Sequence, residues 1–364
     1  MPMVNKLSFE MGELFSGPGG IALGLELACE SLRDECEFNI NHVWVNDYDR
    51  DTCKTYSHNI RISEKAVLCK DVREIDIGSL PPINCFAFGF PCNDYSVVGE
   101  QKGMNGDYGP LYSYGISVLK KHKPDWFLAE NVNGLRNSND GKDFMKILKE
   151  MYEAGYDLFP NLYCFEEYGV PQSRHRVIIV GFRKELKKEY KVPAPSGKIK
   201  TCREAIECPP IPESAFNNEY TIQNPTVVER LQYIRPGENA FTAKLPEHLQ
   251  LHVKGAKISQ IYRRLDPDKP AYTLTGSGGG GTHMYHWSEN RALTNRERAR
   301  IQTFPDSYYF FGNKESVRKQ IGMAVPPMGA KVIFEAVIKT LLGIKYESIT
   351  ATMSPMIHER DNNE

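Results

Sequence analysis

The chain has no Cys-x-x-Cys pair, no cysteine–histidine spacing of a zinc site and no even cysteine framework, although nine cysteines are scattered through its 364 residues. That scatter excludes a disulfide-stapled module and points away from zinc, leaving reduced thiols that matter only if one is reactive. No run approaches the roughly 18 consecutive apolar residues of a membrane span, and the opening MPMVNKLSFEMGELF lacks the basic-then-apolar order of a secretory signal. A soluble cytoplasmic protein, with no membrane partner, is the expectation. Net charge is nearly absent as well: 45 Lys and Arg against 46 Asp and Glu leave −1, with 25% of residues charged. Neither a disordered chain nor a wholly basic nucleic-acid coat has that balance, so a polyanion would have to meet a local basic surface.

What the chain does contain, over its first two-thirds, is the alternation of strand and helix that builds an open α/β sheet covered on both faces. Strand candidates are residues 11–15 (MGELF), 42–46 (HVWVN), 83–90 (INCFAFGF), 125–129 (DWFLA), 158–165 and 176–182 (RVIIVGF). The first stops at SGPGG, after which Ile21, Leu25, Ala28 and Leu32 recur at helical spacing. Several runs lead straight into polar residues, and ligands in such sheets bind beyond the carboxyl ends of the strands.

From about Lys184 the texture changes to charged residues and then many prolines, which marks a second, smaller domain. It contains the run Gly276-Ser277-Gly278-Gly279-Gly280-Gly281, which fits either a flexible linker or a loop packed closely on a ligand. Residues 254–300 carry nine basic residues against four acids, +5, which leaves −6 for the rest. That stretch is the candidate local basic surface. Beyond it, Ala330, Ile333, Phe334, Val337, Ile338 and Leu341 form an apolar helical stripe that should return to the first domain.

Several residues at strand ends carry chemistry. The loop Phe15-Ser16-Gly17-Pro18-Gly19-Gly20 turns tightly and opens a helix N-terminus to a ligand, yet lacks the Gly-x-Gly-x-x-Gly spacing of nicotinamide-binding turns. Asp47 can hold ribose hydroxyls with Tyr48 against an adenine, and Asp71 can accept from its amino group, so three successive strand ends suggest an adenosine-type cofactor. Cys92 follows Pro91, which lacks an N–H and ends the strand, so the thiol is presented on a stiff turn. A free thiol titrates near about 8.5 and needs a positive field to act as a nucleophile. Arg174 and Arg176, expected on one side of an extended segment, would supply that field. Glu130 stands where a sheet delivers catalytic groups and can share a proton with a ring nitrogen.

Taken in order, these pieces resemble the DNA (cytosine-5)-methyltransferase family of bacterial restriction–modification systems. ELFSGPGG resembles its cofactor loop, GFPCN its nucleophile loop, ENV its base-gripping acid and QSRHR its paired-arginine strand. RALTNRERARIQTFPD and QIGMAVPP resemble its two C-terminal motifs, and Thr273-Leu274 the core of its target-recognition region. The resemblance spans about residues 9–342. It implies a doubly wound, mostly parallel sheet of the S-adenosylmethionine-dependent methyltransferase type, with a smaller irregular recognition domain. The expected divisions are 1–184 for catalysis and cofactor, 185–288 for DNA recognition, 289–347 for a return to the first domain and 348–364 for a polar tail. The implied cofactor is S-adenosyl-L-methionine, held by Phe15, Gly17, Pro18, Gly19, Gly20, Asp47, Tyr48, Asp71, Val72, Pro91 and Leu111. Cys92, Glu130, Arg174 and Arg176 are the implied catalytic set; Gln172, Arg263, Arg264, Thr273, Gly278 and Gly279 would contact DNA.

The implied reaction methylates carbon 5 of a cytosine flipped out of double-stranded DNA, through a covalent Cys92 adduct. The implied partners are that DNA and a separate cognate restriction endonuclease, the enzyme itself acting as a monomer. Two departures stand out: Asn93 where the family has Gln, and Met323 where it has Asn. An RNA cytosine methyltransferase on the same scaffold and a catalytically silent DNA-binding homologue are the competing readings.

Overall fold

The apolar runs of the first half become one seven-stranded sheet. The computed structural model describes residues 5–91, 111–251, 259–276 and 282–354. Its chain divides into two compact units: Met1–Cys164 with His175–Pro195 and Pro327–Glu364, and Phe165–Arg174 with Ser196–Pro326.

In the first unit the strands are β1 (Asn5–Leu14), β2 (Cys36–Asp47), β3 (Val67–Cys69), β4 (Cys85–Phe88), β5 (Trp126–Val132), β6 (Tyr156–Cys164) and β8 (His175–Arg183), in the order β3-β2-β1-β4-β5-β8-β6. Neighbours from β3 through β5 are parallel, while β8 runs antiparallel to both β5 and β6. This reversal has a functional consequence. The parallel strands bring their last residues to one rim, whereas β8 brings its first, so Arg176 is registered against Val132 and Ile178 against Glu130. Glu130 therefore sits inside β5 rather than just past it.

Helices α1 (Gly20–Ser31), α2 (Arg50–Asn59), α3 (Tyr112–His122), α4 (Lys142–Glu153) and α9 (Pro327–Leu342) cover the sheet. Phe86, Phe88 and Phe127 are fully buried with Trp44 and Tyr156 in one extended apolar cluster. Side chains of that size at alternate strand positions bury the area that drives collapse, roughly 25 cal/mol for each Å² of apolar surface. A short antiparallel pair, β9 (Val192–Pro193) with β11 (Ser348–Ile349), closes the unit.

The second unit has little regular structure. Its pieces are α5 (Cys202–Glu207), α6 (Pro225–Gln232), α7 (Asn295–Ile301) and α8 (Lys314–Met323), with one parallel pair, β7 (Gln172–Ser173) and β10 (Ala271–Tyr272). Capping boxes start α5 at Thr201 and Glu204 and α7 at Thr294 and Glu297. The apolar cluster of Leu231, Ile234, Ala240, Tyr285 and Ala292 is small. Two stretches fall differently from the sequence expectation: 289–326 packs within this unit, and 165–174 joins it from between β6 and β8. The return to the first unit begins at Pro327.

Candidate active site

At the carboxyl end of β1 the backbone leaves the sheet through left-handed conformations: Phe15 at φ 56°, Gly17 at 57° and Gly19 at 95°. Glycine adopts these freely, while Phe15 carries the strain of a side chain there. The turn is tied to β2 by Ser16 N–H donating to Asn46 O and Gly17 N–H donating to a carboxylate oxygen of Asp47, each at 3.0 Å. The other Asp47 oxygen accepts from Asp49 N–H at 3.0 Å. Asp47 is thus fixed by backbone donors at the rim of the sheet. Helix α1 has Gly19 at its N-cap, with no side-chain cap and no acid in its first turn. Its N–H groups and dipole face the loop, which suits a ligand carboxylate.

Next to Asp47, Tyr48 is 67% exposed, a large aromatic side chain at the same strand end. Asp71 caps a short turn and receives the Arg73 guanidinium at 2.9 and 2.6 Å; these bonds hold its carboxyl below the usual range. Val72 and Leu111 are buried. A glycine turn, a fixed acid, an exposed ring and a second ionised acid at consecutive strand ends fit an adenosine-bearing sulfonium cofactor.

The loop after β4 is held by a residue that motif reading passed over. Asn131, buried in β5, donates from its amide to Phe90 O at 3.1 Å, which fixes the stretch leading to Pro91. A carbon added to Gly89 would stand 3.2 Å from a Glu130 carboxylate oxygen, so this acid lies against the loop that carries Pro91. Cys92 and Asn93 lie outside the described residues, as do Gly278 and Gly279. Arg176 grips Glu130 from β8 at 2.9 Å, both side chains being largely buried, and donates also to His175 O at 2.8 Å. None of the described cysteines forms a disulfide, and burial pushes Cys29 and Cys202 up to about 12, leaving inert thiols.

Behind the glycine turn lies a second missed group. Glu13, an acid inside the apolar run MGELF, is 1% exposed and accepts from Tyr56 O–H at 3.0 Å. Burial, aided by the nearby Asp47 charge, raises its carboxyl to about 8, so it is protonated at neutral pH.

The two arginines of QSRHR do not share one side of an extended strand. Arg174 precedes β8, belongs to the second unit and is 1% exposed. Its guanidinium donates to Leu274 O at 2.9 Å, Gly322 O at 3.1 Å and Ala324 O at 2.9 Å. It therefore welds the Thr273-Leu274 segment to the end of α8 instead of lending a free charge to a thiol. Gln172, expected at DNA, is fully buried beside it, accepting from Leu274 N–H at 2.9 Å and donating to Gln302. Gln302 in turn donates to Ile321 O and Ala324 O at 3.0 and 2.6 Å. Gly322 is required at this crossing because an added carbon would lie 2.3 Å from the Thr275 carbonyl. Thr273 donates its hydroxyl to Ser173 O at 2.6 Å, and Met323 is exposed.

The expected basic strip is largely internal. Arg264 does not fit a phosphate-facing place: it is 3% exposed and donates to Leu231 O, His286 O and Glu289 O. Arg296 is likewise buried on carbonyls, Arg291 pairs with Glu289 and Glu297, Arg300 with Asp306, and Lys269 with Asp266. Arg263 lies over the Tyr272 ring at 4.7 Å. Lys254 and Lys257 lie outside the described residues.

A mostly parallel seven-stranded sheet of this order is the fold of solved DNA modification methyltransferases. The chain belongs to the C-5 cytosine-specific DNA methylase family, whose model matches residues 9–339. It is 56% identical over 356 residues, 95% of each chain, to the type II methyltransferase M.BbvI of Brevibacillus brevis. It is 36% identical over 348 residues to M.NgoFVII of Neisseria gonorrhoeae, covering 92% of this chain and 88% of that one. A crystal structure of an E. coli prophage DNA modification methyltransferase covers 92% of this chain and 99% of its own at TM-score 0.71 and 22% identity, a likeness of fold. The protein is thus a DNA (cytosine-5-)-methyltransferase of the type II restriction–modification family.

Proposed function

We propose that the enzyme methylates carbon 5 of a cytosine flipped out of a specific site in double-stranded DNA, using S-adenosylmethionine. The observation that carries this reading is the Glu130–Arg176 pair at 2.9 Å, set against the loop whose next residue is Cys92. Bound at Phe15, Gly17, Pro18, Gly19, Gly20, Asp47, Tyr48, Asp71, Val72, Pro91 and Leu111, S-adenosylmethionine supplies an electrophilic methyl group. The Cys92 thiolate adds to carbon 6 of the cytosine, which gives carbon 5 the electron density to take that methyl, the C–S bond of the sulfonium breaking so that the electron pair leaves with the neutral thioether. Glu130 shares a proton with ring nitrogen 3 and accepts from the exocyclic amine, while Arg176 fixes the orientation of its carboxyl. Loss of the carbon 5 proton then restores the ring and expels Cys92. A stacked base cannot reach the thiol, so flipping costs a few kcal/mol.

The same reading makes the enzyme the modification half of a restriction–modification pair, a monomer in a bacterial cytoplasm whose cognate endonuclease is a separate protein. The type II methyltransferase names of the relatives support the modification role. Bisulfite sequencing of DNA from cells expressing the protein should reveal 5-methylcytosine at one short site, and Cys92→Ser should remove it while DNA binding persists. Full methylation by that variant would defeat the mechanism. Preference for transfer RNA over duplex DNA in a competition assay would favour the RNA reading instead.

A further inference from the structure

The second unit holds five arginines that are less than a tenth exposed: Arg174, Arg230, Arg264, Arg296 and Arg298. The first four each place guanidinium donors on backbone carbonyls, as Arg230 does on Leu249 O at 3.0 Å. Arg298 is the exception. Among the described residues its guanidinium has no hydrogen bond or ion pair, and its Nε is buried without an acceptor. Its sequence neighbour Glu297 is engaged elsewhere, holding Arg291 at 2.7 and 2.8 Å and accepting from Thr294 N–H. An ionised group buried without compensation is among the costliest arrangements a fold can keep.

Two further groups share its surroundings. Arg318 also has a buried Nε without an acceptor, and its ion partner Glu315, 3.5 Å away, is 84% exposed. His283 Nδ1 is a third buried atom without a partner. Burial and the charges of Arg298 and Arg318 push this imidazole down to about 4, so it is neutral at pH 7. Burial lowers Arg298 to about 10, which still leaves it cationic. All three residues line two small recesses of about 10 Å³ each, room for about one water-sized group, the first lined also by Tyr272, Thr273 and Thr275. Glu219 lines the second but is exposed and forms no ion pair with either arginine among the described residues.

We propose that Arg298, Arg318 and His283 form an anion site that holds one phosphodiester group of the bound DNA strand. The occupant must bring negative charge to two guanidiniums, which a neutral base edge does not do. It must also accept hydrogen bonds through an atom small enough for these recesses, as a non-bridging phosphate oxygen does. The assignment to DNA rather than to a free anion rests on the proposed activity, because that substrate presents phosphates to the unit carrying Thr273-Leu274.

The test uses plasmid DNA that the wild-type protein methylates, with affinity measured from about 50 to 200 mM salt. Arg298→Met and Arg318→Gln should each weaken binding about tenfold and lower the slope of log affinity against log salt by about 1, whatever the sequence. S-adenosylmethionine affinity should be unchanged in both. The thermal midpoint of free R298M should equal or exceed that of wild type, because an uncompensated buried charge has gone. Unchanged salt slopes in both variants would overturn the site, and so would a lowered R298M midpoint with wild-type slopes, which would make Arg298 structural. Inorganic phosphate that stabilises wild type but not R298M, with DNA binding unaltered, would assign the pocket to a free anion and overturn the DNA assignment. A wild-type protein that methylates no DNA would instead defeat the proposed function, a result separable from all of these.

Discussion

The two units solve the same problem, how to satisfy polar groups in an interior, by opposite means. The first uses a sheet whose ladders pair its strand backbones, and the polar side chains proposed for chemistry gather at one rim: Asp47, Asp71, Glu130 and Arg176. The second has one two-residue parallel pair and short helices, so many carbonyls find no ladder. Guanidiniums take that role, since each offers five donors in a rigid fork, and every arginine less than a tenth exposed among the described residues lies in this unit. Charge in the first unit marks chemistry, whereas charge in the second is mostly architecture.

That contrast predicts which quantity each unit loses on mutation. Glu130→Gln, in the first, should lower methyl transfer by roughly 10²- to 10⁴-fold, the range for a lost general acid–base group. Its effect on stability should be small, since Arg176 keeps its bond to His175 O. Steady-state transfer of labelled methyl with a parallel melting curve measures both, and a variant that melts early but turns over normally would erase the distinction. Arg296→Met, in the second, should do the reverse. Arg296 is fully buried and donates to Phe216 O at 2.8 Å, Pro305 O at 2.9 Å and Tyr308 O at 2.6 Å. Its loss strands three carbonyls and should cost about 3–5 kcal/mol in urea unfolding, with kcat near wild type for the folded fraction.

The same contrast explains what could be read from sequence. Strands such as RVIIVGF were legible because apolar periodicity and polar ends coincide, and the rim chemistry followed from those ends. The direction of β8 was not, because a return strand after the excursion 165–174 carries the same residues as a parallel one. Asn131 was missed beside Glu130 because an amide gives no titratable signal, although its bond to Phe90 O shapes the nucleophile loop. In the second unit the charge count treated Arg264 and Arg296 as solvated, and only their burial on carbonyls shows otherwise. Residue type identified the groups there, but their surroundings decided their work.

Glu13 sharpens the comparison from the other side, as a buried acid of the first unit. Its carboxyl titrates at about 8 in the fold against 4.5 ordinarily, chiefly through burial, with Asp47 adding to the rise and the Tyr56 bond opposing it. Between those values the unfolded chain is ionised there while the folded one keeps its proton, so unfolding releases a proton. Rising pH therefore removes stability, by up to about 1.4 kcal/mol per pH unit between roughly pH 5 and pH 8. Glu13→Gln keeps the shape and the acceptor for Tyr56 but cannot ionise. Its advantage over wild type should be near zero around pH 5 and grow toward pH 8, as read from urea unfolding at intermediate values. Equal pH slopes in the two proteins would mean that Glu13 is charged in the fold. The first unit would then hold a buried unpaired ion of its own, and the division between chemical and architectural charge would fail at the residue beneath the glycine turn.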